Sequence, residues 1–219
     1  MRVVIAGGHG KIAMRLERLL AARSDDAVGL IRSPDHRDDL RAAGAEPVLC
    51  DLEAAGVDEV ARHLAGADAV VFAAGAGPGS GAARKETVDH GAAVLFADAA
   101  MQAGVRRYLL VSSVGVDTPP QAGTDEVFAA YLRAKKAAEV DLLARDLDLT
   151  VLRPGSLTDA AATGRVLLAP PAGHRGEIPR DDVAAVLVAL LDEPRTAGLV
   201  LELVGGDTPV ADAVRALRQ

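Results

Sequence analysis

The sequence predicts a three-layer, doubly wound α/β fold around a parallel sheet, with a small C-terminal lobe. Short apolar runs alternate with amphipathic helical patterns almost throughout the chain. Several runs, such as Val3-Val-Ile5 and Ala69-Val-Val-Phe72, are continuously apolar, as strands covered on both faces are. Half of the 219 residues are apolar but only 2% are aromatic. Ala, Val and Leu must therefore fill thin helix-on-sheet layers.

The elements follow in order. Val3-Val-Ile5 feeds a glycine turn, Gly7-Gly-His-Gly10, which opens a helix whose Ile12, Leu16, Leu19 and Leu20 recur at helical spacing. Ala27 to Ile31 is a second strand, and Asp35 to Ala43 a polar helix capped by Gly44. Glu46 to Cys50 reads as a strand and Val57 to Leu64 as a helix closed by Gly66. Asp68 to Phe72 is a strand before a glycine-rich loop, Ala73 to Gly81, that contains Pro78 and Ser80. A helix over Glu86 to Ala103, stopped by Gly104, precedes the strand Arg107 to Ser113. A long helix over Val127 to Asp146 leads to the strand Leu149 to Arg153. Gly155 to Pro179 carries Pro170, Pro171, Gly173 and Gly176 and reads as a small irregular lobe within a single domain spanning residues 1–219. Arg180 to Leu191 is a helix, Leu199 to Val204 a strand, and Pro209 to Arg218 a closing helix capped by Thr208.

Composition narrows the function classes. The formal charge is −7 with no basic block, which argues against nucleic acid or an anionic membrane as partner. One cysteine, Cys50, excludes a disulfide framework and any cysteine-based zinc site, and no histidine pair has metal-site spacing, so no metal is expected. No apolar stretch approaches the ~20 residues of a bilayer span and no secretory signal is evident, so a cytoplasmic protein is expected.

The first chemical signal is the turn itself. A strand, a glycine turn and a helix aim free backbone N–H groups at a diphosphate: Gly7 for the tight turn, Gly10 for close approach, and small Ala13 for helix–strand packing. Arg32, with Ser33, ends the second strand, where NAD sites usually carry an acid. An arginine suits the 2′-phosphate of NADP, and Lys11 adds a second positive group. Asp51, followed by Leu52, falls where adenine can be hydrogen-bonded, or else caps the next helix. Tyr131 and Lys135 share one helix face, where an ammonium beside a phenol favours proton donation to a carbonyl. By spacing alone such a pair also arises by chance; its position after the strand ending in Ser112 and Ser113 strengthens it. His9 reads as a phosphate contact or a solvated loop residue, His90 as facing the site or, in preference, packing in the core, and His174 and Arg175 as meeting an acidic substrate or as exposed loop residues. Cys50 reads as a small buried apolar group.

Together these motifs resemble the short-chain dehydrogenase/reductase superfamily, in its atypical NAD(P)-binding branch of NmrA-like and biliverdin reductase B-like proteins. The resemblance spans nearly the whole chain. It rests on Gly7-Gly-His-Gly10-Lys-Ile-Ala13, Phe72-Ala-Ala-Gly75, Val111-Ser-Ser-Val114, Tyr131-Leu-Arg-Ala-Lys135, Leu152-Arg-Pro-Gly155, Arg180-Asp-Asp-Val-Ala and Leu203-Val-Gly-Gly-Asp-Thr-Pro209. It implies a Rossmann fold with a substrate lobe, and NADP(H) preferred over NAD(H). Gly7, His9, Gly10, Lys11 and Ile12 would surround the phosphates, and Arg32 with Ser33 the 2′-phosphate. Asp51 and Leu52 would meet the adenine, and Ala73, Ala74 and Gly75 the adenosine ribose. Ser112 or Ser113 would face the nicotinamide, Tyr131 would donate the proton, and Lys135 would bind the nicotinamide ribose. Pro154 and Gly155 would wall the nicotinamide ring. The stretch from the serines to Tyr131, with Pro119 and Pro120, is longer than in the simple reductases of that superfamily.

Three functions fit these residues. The first is an NADP-dependent oxidoreductase passing hydride to a small carbonyl, quinone or flavin-type acceptor. The second is a non-catalytic NADP(H)-sensing regulator. The third is a sugar-nucleotide epimerase or dehydratase, which ranks last because only about 65 residues follow the sixth strand and little room remains for a large substrate lobe. In each case the partner is a small molecule.

Overall fold

A computed structural model of the chain describes residues 1–77, 79–119 and 123–217; Pro78, Pro120 and Arg218 lie outside the described residues. The chain runs β1 (Arg2–Ala6), α1 (Ala13–Ala22), β2 (Asp26–Ile31), α2 (Arg37–Ala42), β3 (Glu46–Leu49), α3 (Val57–Leu64) and β4 (Ala69–Phe72). There follow α4 (Ala82–Arg84), a π-helix (Lys85–Gly91), α5 (Ala92–Gln102), β5 (Arg107–Val111), α6 (Glu126–Leu143) and β6 (Asp148–Pro154). Then come β7 (Ser156–Thr158), β8 (Arg165–Ala169), β9 (Glu177–Pro179), α7 (Arg180–Leu191), β10 (Val200–Gly205), β11 (Thr208–Pro209) and α8 (Val210–Ala216).

Nine strands form one sheet in the order β11-β8-β10-β6-β5-β4-β1-β2-β3. From β10 to β3 every pairing is parallel; β8 is antiparallel to both β10 and β11. Strand order reverses between β1 and β4, which opens a crevice at their carboxyl ends. The architecture is thus the three-layer, mostly parallel Rossmann-like fold that the sequence predicts.

Alternation along β1 assigns the layers. Val3 and Ile5 pack with Leu16 and Leu20 of α1, Val183 and Leu187 of α7, and Val214 of α8. Val4 and Ala6 pack on the other side with Val60 and Leu64 of α3, Phe96 of α5, and Ala138 and Leu142 of α6. All four β1 residues are fully buried, which explains why the strand carries no polar alternation. The three interior aromatics meet in the second layer, with Phe96 standing 6.0 Å from Phe72 and 5.8 Å from Tyr108 between ring centroids.

Several expected details change. The segment 155–179 is not irregular throughout: β8 extends the main sheet, while β7 and β9 pair in parallel as a separate ribbon. Thr208 does not cap the closing helix; it is drawn into β11, opposite Val166 of β8. The helix expected from Glu86 starts earlier and is broken by the π-turn over Lys85–Gly91. The long helix ends at Leu143 rather than Asp146, whose carboxylate is held by Arg106 at 2.8 Å.

Candidate dinucleotide and active site

A cleft of about 310 Å³ opens at the carboxyl ends of β1, β2, β3 and β4. Its walls include Gly7, His9 and Gly10 after β1, Arg32 after β2, Asp51 and Leu52 after β3, and Ala73, Ala74 and Gly75 after β4. Residues expected around a dinucleotide from four separate stretches therefore meet in one place.

The glycines are dictated by packing as much as by ligand approach. Gly7 has φ +78°, and a Cβ there would sit 2.7 Å from Ala74 Cα, so β1 and the β4 loop touch through it. Gly8 is equally constrained, because its Cβ would lie 2.7 Å from Gly29 Cα on β2. The Gly10 amide donates to Gly7 O at 2.7 Å, which closes the turn before α1. The Met14 and Leu16 amides of α1 already donate to Gly10 O and Ile12 O at 2.9 Å, so the glycine turn itself continues into the helix, and Ala13 is fully buried against the sheet. This backbone cradle fits a diphosphate.

Under the cradle lies a residue that pattern reading missed. Glu17 of α1 is fully buried, and neither carboxylate oxygen has a hydrogen-bond partner among the described residues. Burial pushes its carboxyl up to about 8. A Cβ on Gly29 would fall 2.6 Å from Glu17 Oε1, and one on Gly8 3.1 Å from it. A glutamate on a helical stripe otherwise shared by Leu16 and Leu20 carries no signal in the sequence.

The charged rim differs from expectation in three places. Lys11 is absent from the cleft wall; its ammonium donates to Asp159 at 2.7 Å, just after β7. Ser33 turns its hydroxyl back on Asp35, accepting from that residue's amide at 3.3 Å. Arg32 does line the cleft, and it is joined there by Arg84 of α4. Between them stands Glu53, bonded by Arg84 and by the Thr87 hydroxyl at 2.7 Å, and 3.5 Å from Arg32. Arg84, then Thr87 and Arg32, hold the Glu53 carboxyl below its ordinary range. Ile12 is buried behind the turn, its carbonyl accepting from Leu16 at 2.9 Å. His9 lies in the cleft wall, stacked on His36 at 3.6 Å between ring centroids, with its Nε2 2.8 Å from Asp39.

At the other end, α6 places Tyr131, Lys135 and Glu139 in successive turns. Tyr131 is half-buried, with the Lys135 ammonium 5.9 Å and the Lys85 ammonium 5.5 Å from its ring centroid. Lys135 is almost fully buried. It donates to Val111 O at 3.0 Å and Ala74 O at 3.5 Å, and its ammonium lies 3.2 Å from Asp89. Asp89, in the π-helix, also accepts from Ala76 N at 3.1 Å, while Lys85 donates to Gly77 O at 2.9 Å. The π-helix thus fastens the β4 loop at two points and brings a second cation to Tyr131.

Of the serine pair, Ser112 is buried and donates to Glu139 at 2.6 Å; Ser113 is half-buried and donates to Val114 O at 3.1 Å. Glu139 is fully buried and paired with Arg153, which also reaches Asp117. Burial opposes the Arg153 charge, but Glu139 and Asp117 more than compensate and raise its guanidinium above the ordinary value. Pro154 accepts from Val114 N at 3.0 Å, so the wall expected from Pro154 and Gly155 is tied to the serine strand. Gly155 is also required by packing, since a Cβ there would lie 2.3 Å from Gly176 O.

A second cavity, of about 270 Å³, lies where the loop after β5 meets the segment after β8. Arg153, Asp117, His174, Arg175 and Glu202 contribute to its lining. Glu202 accepts from the amides of Ala172 and His174 at 3.1 and 2.8 Å, which shapes the loop carrying His174 and Arg175. His90 is not a core residue: its ring nitrogens lie 2.6 Å from Glu86 and 2.6 Å from Asp141. Partial burial opposes its protonation, but the two carboxylates prevail and raise it.

No helix among the described residues is long and apolar enough to cross a membrane. Comparison with known proteins agrees with the cleft. A family described as NAD(P)H-binding matches residues 7–194. A Bacillus subtilis protein named "Uncharacterized sugar epimerase YhfK" is 36% identical over 99% of this chain and 100% of its own length. A Bacillus halodurans structure, provisionally named an NAD-dependent epimerase/dehydratase, superposes with a TM-score of 0.91 at 35% identity, covering 99% of both chains. ChuY, named an anaerobillin reductase from Escherichia coli O157:H7, gives a TM-score of 0.81 at 27% identity over 94% of this chain and 98% of its own. With the glycine cradle built and the family matched across both halves of the sheet, the chain belongs to the NAD(P)H-binding family of Rossmann-fold proteins.

Proposed function

We propose that the protein is an NADP(H)-dependent oxidoreductase acting on a small carbonyl, quinone or flavin-type acceptor. The observation that supports this most is Tyr131, half-buried, with two ammonium groups over its ring and one of them, Lys135, fixed between the β4 loop and β5. The bound dinucleotide would supply the hydride. The chain's share is to hold it at the cradle of Gly7, Gly8 and Gly10 and to keep a proton on Tyr131 Oη for the acceptor oxygen. Lys85 and Lys135 then stabilise the phenolate left behind until solvent returns the proton. Arg32 and Arg84 at the adenosine end favour the form carrying a 2′-phosphate, with Glu53 setting their spacing.

The test is Tyr131→Phe assayed with NADPH against a carbonyl and quinone panel. Turnover of a carbonyl should fall at least about a hundredfold while NADPH affinity is kept. Unchanged carbonyl turnover removes Tyr131 from the mechanism. Arg32→Ala combined with Arg84→Ala should weaken NADPH at least about tenfold and leave NADH nearly untouched; equal losses for both would refute the 2′-phosphate assignment.

A second reading, an NADP(H)-sensing regulator, is favoured by one specific observation. Lys135 is committed to Asp89 and two carbonyls, and Ser112 to Glu139, so two groups a reductase would turn toward its substrate are engaged internally. Discrimination between NADP and NADPH by calorimetry, without oxidation across the panel, would decide for it. The epimerase name of the Bacillus subtilis relative adds little room for a sugar nucleotide, because that relative is matched over its whole length and has no larger lobe. The expected partner is a small molecule; no nucleic acid and no membrane partner is proposed, in keeping with the −7 charge.

A further inference from the structure

One cluster of ligating side chains lies outside the chemistry above. Cys50 follows β3, and its amide donates to Ile31 O at 2.8 Å, which carries the ladder one residue further. Its side chain is buried in the layer shared with Val60 and Leu64 of α3. Glu59 and His63 stand one turn apart on that helix and so share a face. The Cys50 Sγ, a Glu59 carboxylate oxygen and a His63 ring nitrogen all lie within 4.8 Å of one another. Glu59 and His63 make no hydrogen bond or ion pair with another side chain among the described residues.

We propose that Cys50, Glu59 and His63 form a site for one thiophilic divalent cation of the zinc class, joining the end of β3 to α3. Sulfur, imidazole nitrogen and carboxylate oxygen are the three donor types that zinc accepts, and three protein ligands leave a fourth position for water. Ligand atoms around a tetrahedral zinc stand roughly 3.3–3.8 Å apart, from bonds of about 2.0–2.3 Å. Reaching that spacing requires the exposed Glu59 and half-buried His63 side chains to draw in toward the anchored sulfur. The sequence, with one cysteine, argues against such a site, because one ligand follows β3 and two lie on the next helix, with only one histidine among them.

The thiol state supplies a diagnostic. A coordinating sulfur is a thiolate, so loading the site must release a proton. Cys50 also lines the cleft beside Asp51 and Leu52, so the cation would lie behind its adenosine end. The proposal does not depend on the dinucleotide reading and is tested on the protein alone.

Titration with Co²⁺ in a non-thiol reductant should give one equivalent of binding, a thiolate-to-cobalt charge-transfer band, and one proton released per cation. Zn²⁺ should displace the band and raise the melting temperature. Cys50→Ser should abolish the band. His63→Ala and Glu59→Ala, both at accessible positions where folding is not in question, should each weaken binding by more than about tenfold. Arg62→Ala, on the neighbouring exposed face, should bind like the parent. Absence of the band in the parent protein, or parental affinity in His63→Ala and Glu59→Ala, would overturn the site.

Discussion

A single glutamate couples the dinucleotide cradle to pH. Glu17 lies against the back of both Gly8 and Gly29, and among the described residues it has no hydrogen-bond partner, so burial outweighs the opposing Arg18 charge. Its carboxyl titrates near 8 in the folded chain against 4.5 when exposed. The folded state therefore holds a proton that the unfolded state loses between pH 4.5 and 8. Stability from this group is complete below pH 4.5, declines as pH rises, and is gone above about 8. Three to four units correspond to about 4–5 kcal/mol. Glu17→Gln keeps the shape and removes the titration. Urea unfolding of both proteins at pH 5 and pH 9 should show the variant gaining on the parent by several kcal/mol at the higher pH. A difference that stays constant with pH would mean that Glu17 does not titrate in this window. The neighbouring glycines make a separate point. Gly29→Ala would place a methyl group 2.4 Å from Leu40 Cδ2, so it should lower the urea midpoint even though β2 gains a better strand residue.

At the scale of elements, the π-helix decides what the sequence could and could not announce. Its wider turn carries Lys85 to Tyr131 and Asp89 to Lys135. Asp89→Asn retains an acceptor for Ala76 N but leaves the buried Lys135 ammonium without its counter-charge. The loss should be about 3 kcal/mol in urea unfolding; a loss below about 1 kcal/mol would show that the Val111 and Ala74 carbonyls suffice for Lys135. The strands, α1 and the glycine turn were legible because their determinants are local: an apolar run, a 3.6-residue spacing, and a turn that needs φ > 0 at Gly7. Arg32, Asp51 and Ala73 to Gly75 were legible because the fold class itself places strand ends at the crevice. Lys85, Asp89, Arg84 and Glu53 were not, since their pairing depends on a helical register that propensity does not encode. Strands β7, β8 and β11 were hidden for a related reason. They are short elements, β8 held between β10 and β11, whose partners lie far along the chain, and local pattern carries little of that information.

Across the whole molecule, the two ends of the chain are tied together over the cradle. Asp159, beyond β6, receives Lys11 at 2.7 Å, Arg180 at 2.9 Å and Arg15 at 3.4 Å, and Lys11 foremost keeps its carboxyl below the ordinary range. Arg15 in turn holds Asp181 at 2.9 Å, at the start of α7. Lys11 therefore has two competing anions: the carboxylate it holds here and the diphosphate that its position beside Gly10 invites. Exposed ion pairs of this type contribute little to folding and are screened by salt. Their effect belongs instead to binding. Asp159→Asn should free Lys11, remove a negative charge beside the cradle, and tighten NADPH by about two- to fivefold at low ionic strength. The advantage should fade in high salt, because both the competing pair and the diphosphate contact are screened. Fluorescence titration of NADPH at the two ionic strengths measures this directly. Weaker binding by Asp159→Asn at low salt would mean that the carboxylate orients Lys11 for the ligand rather than competing for it, and Lys11→Ala would then reproduce the loss.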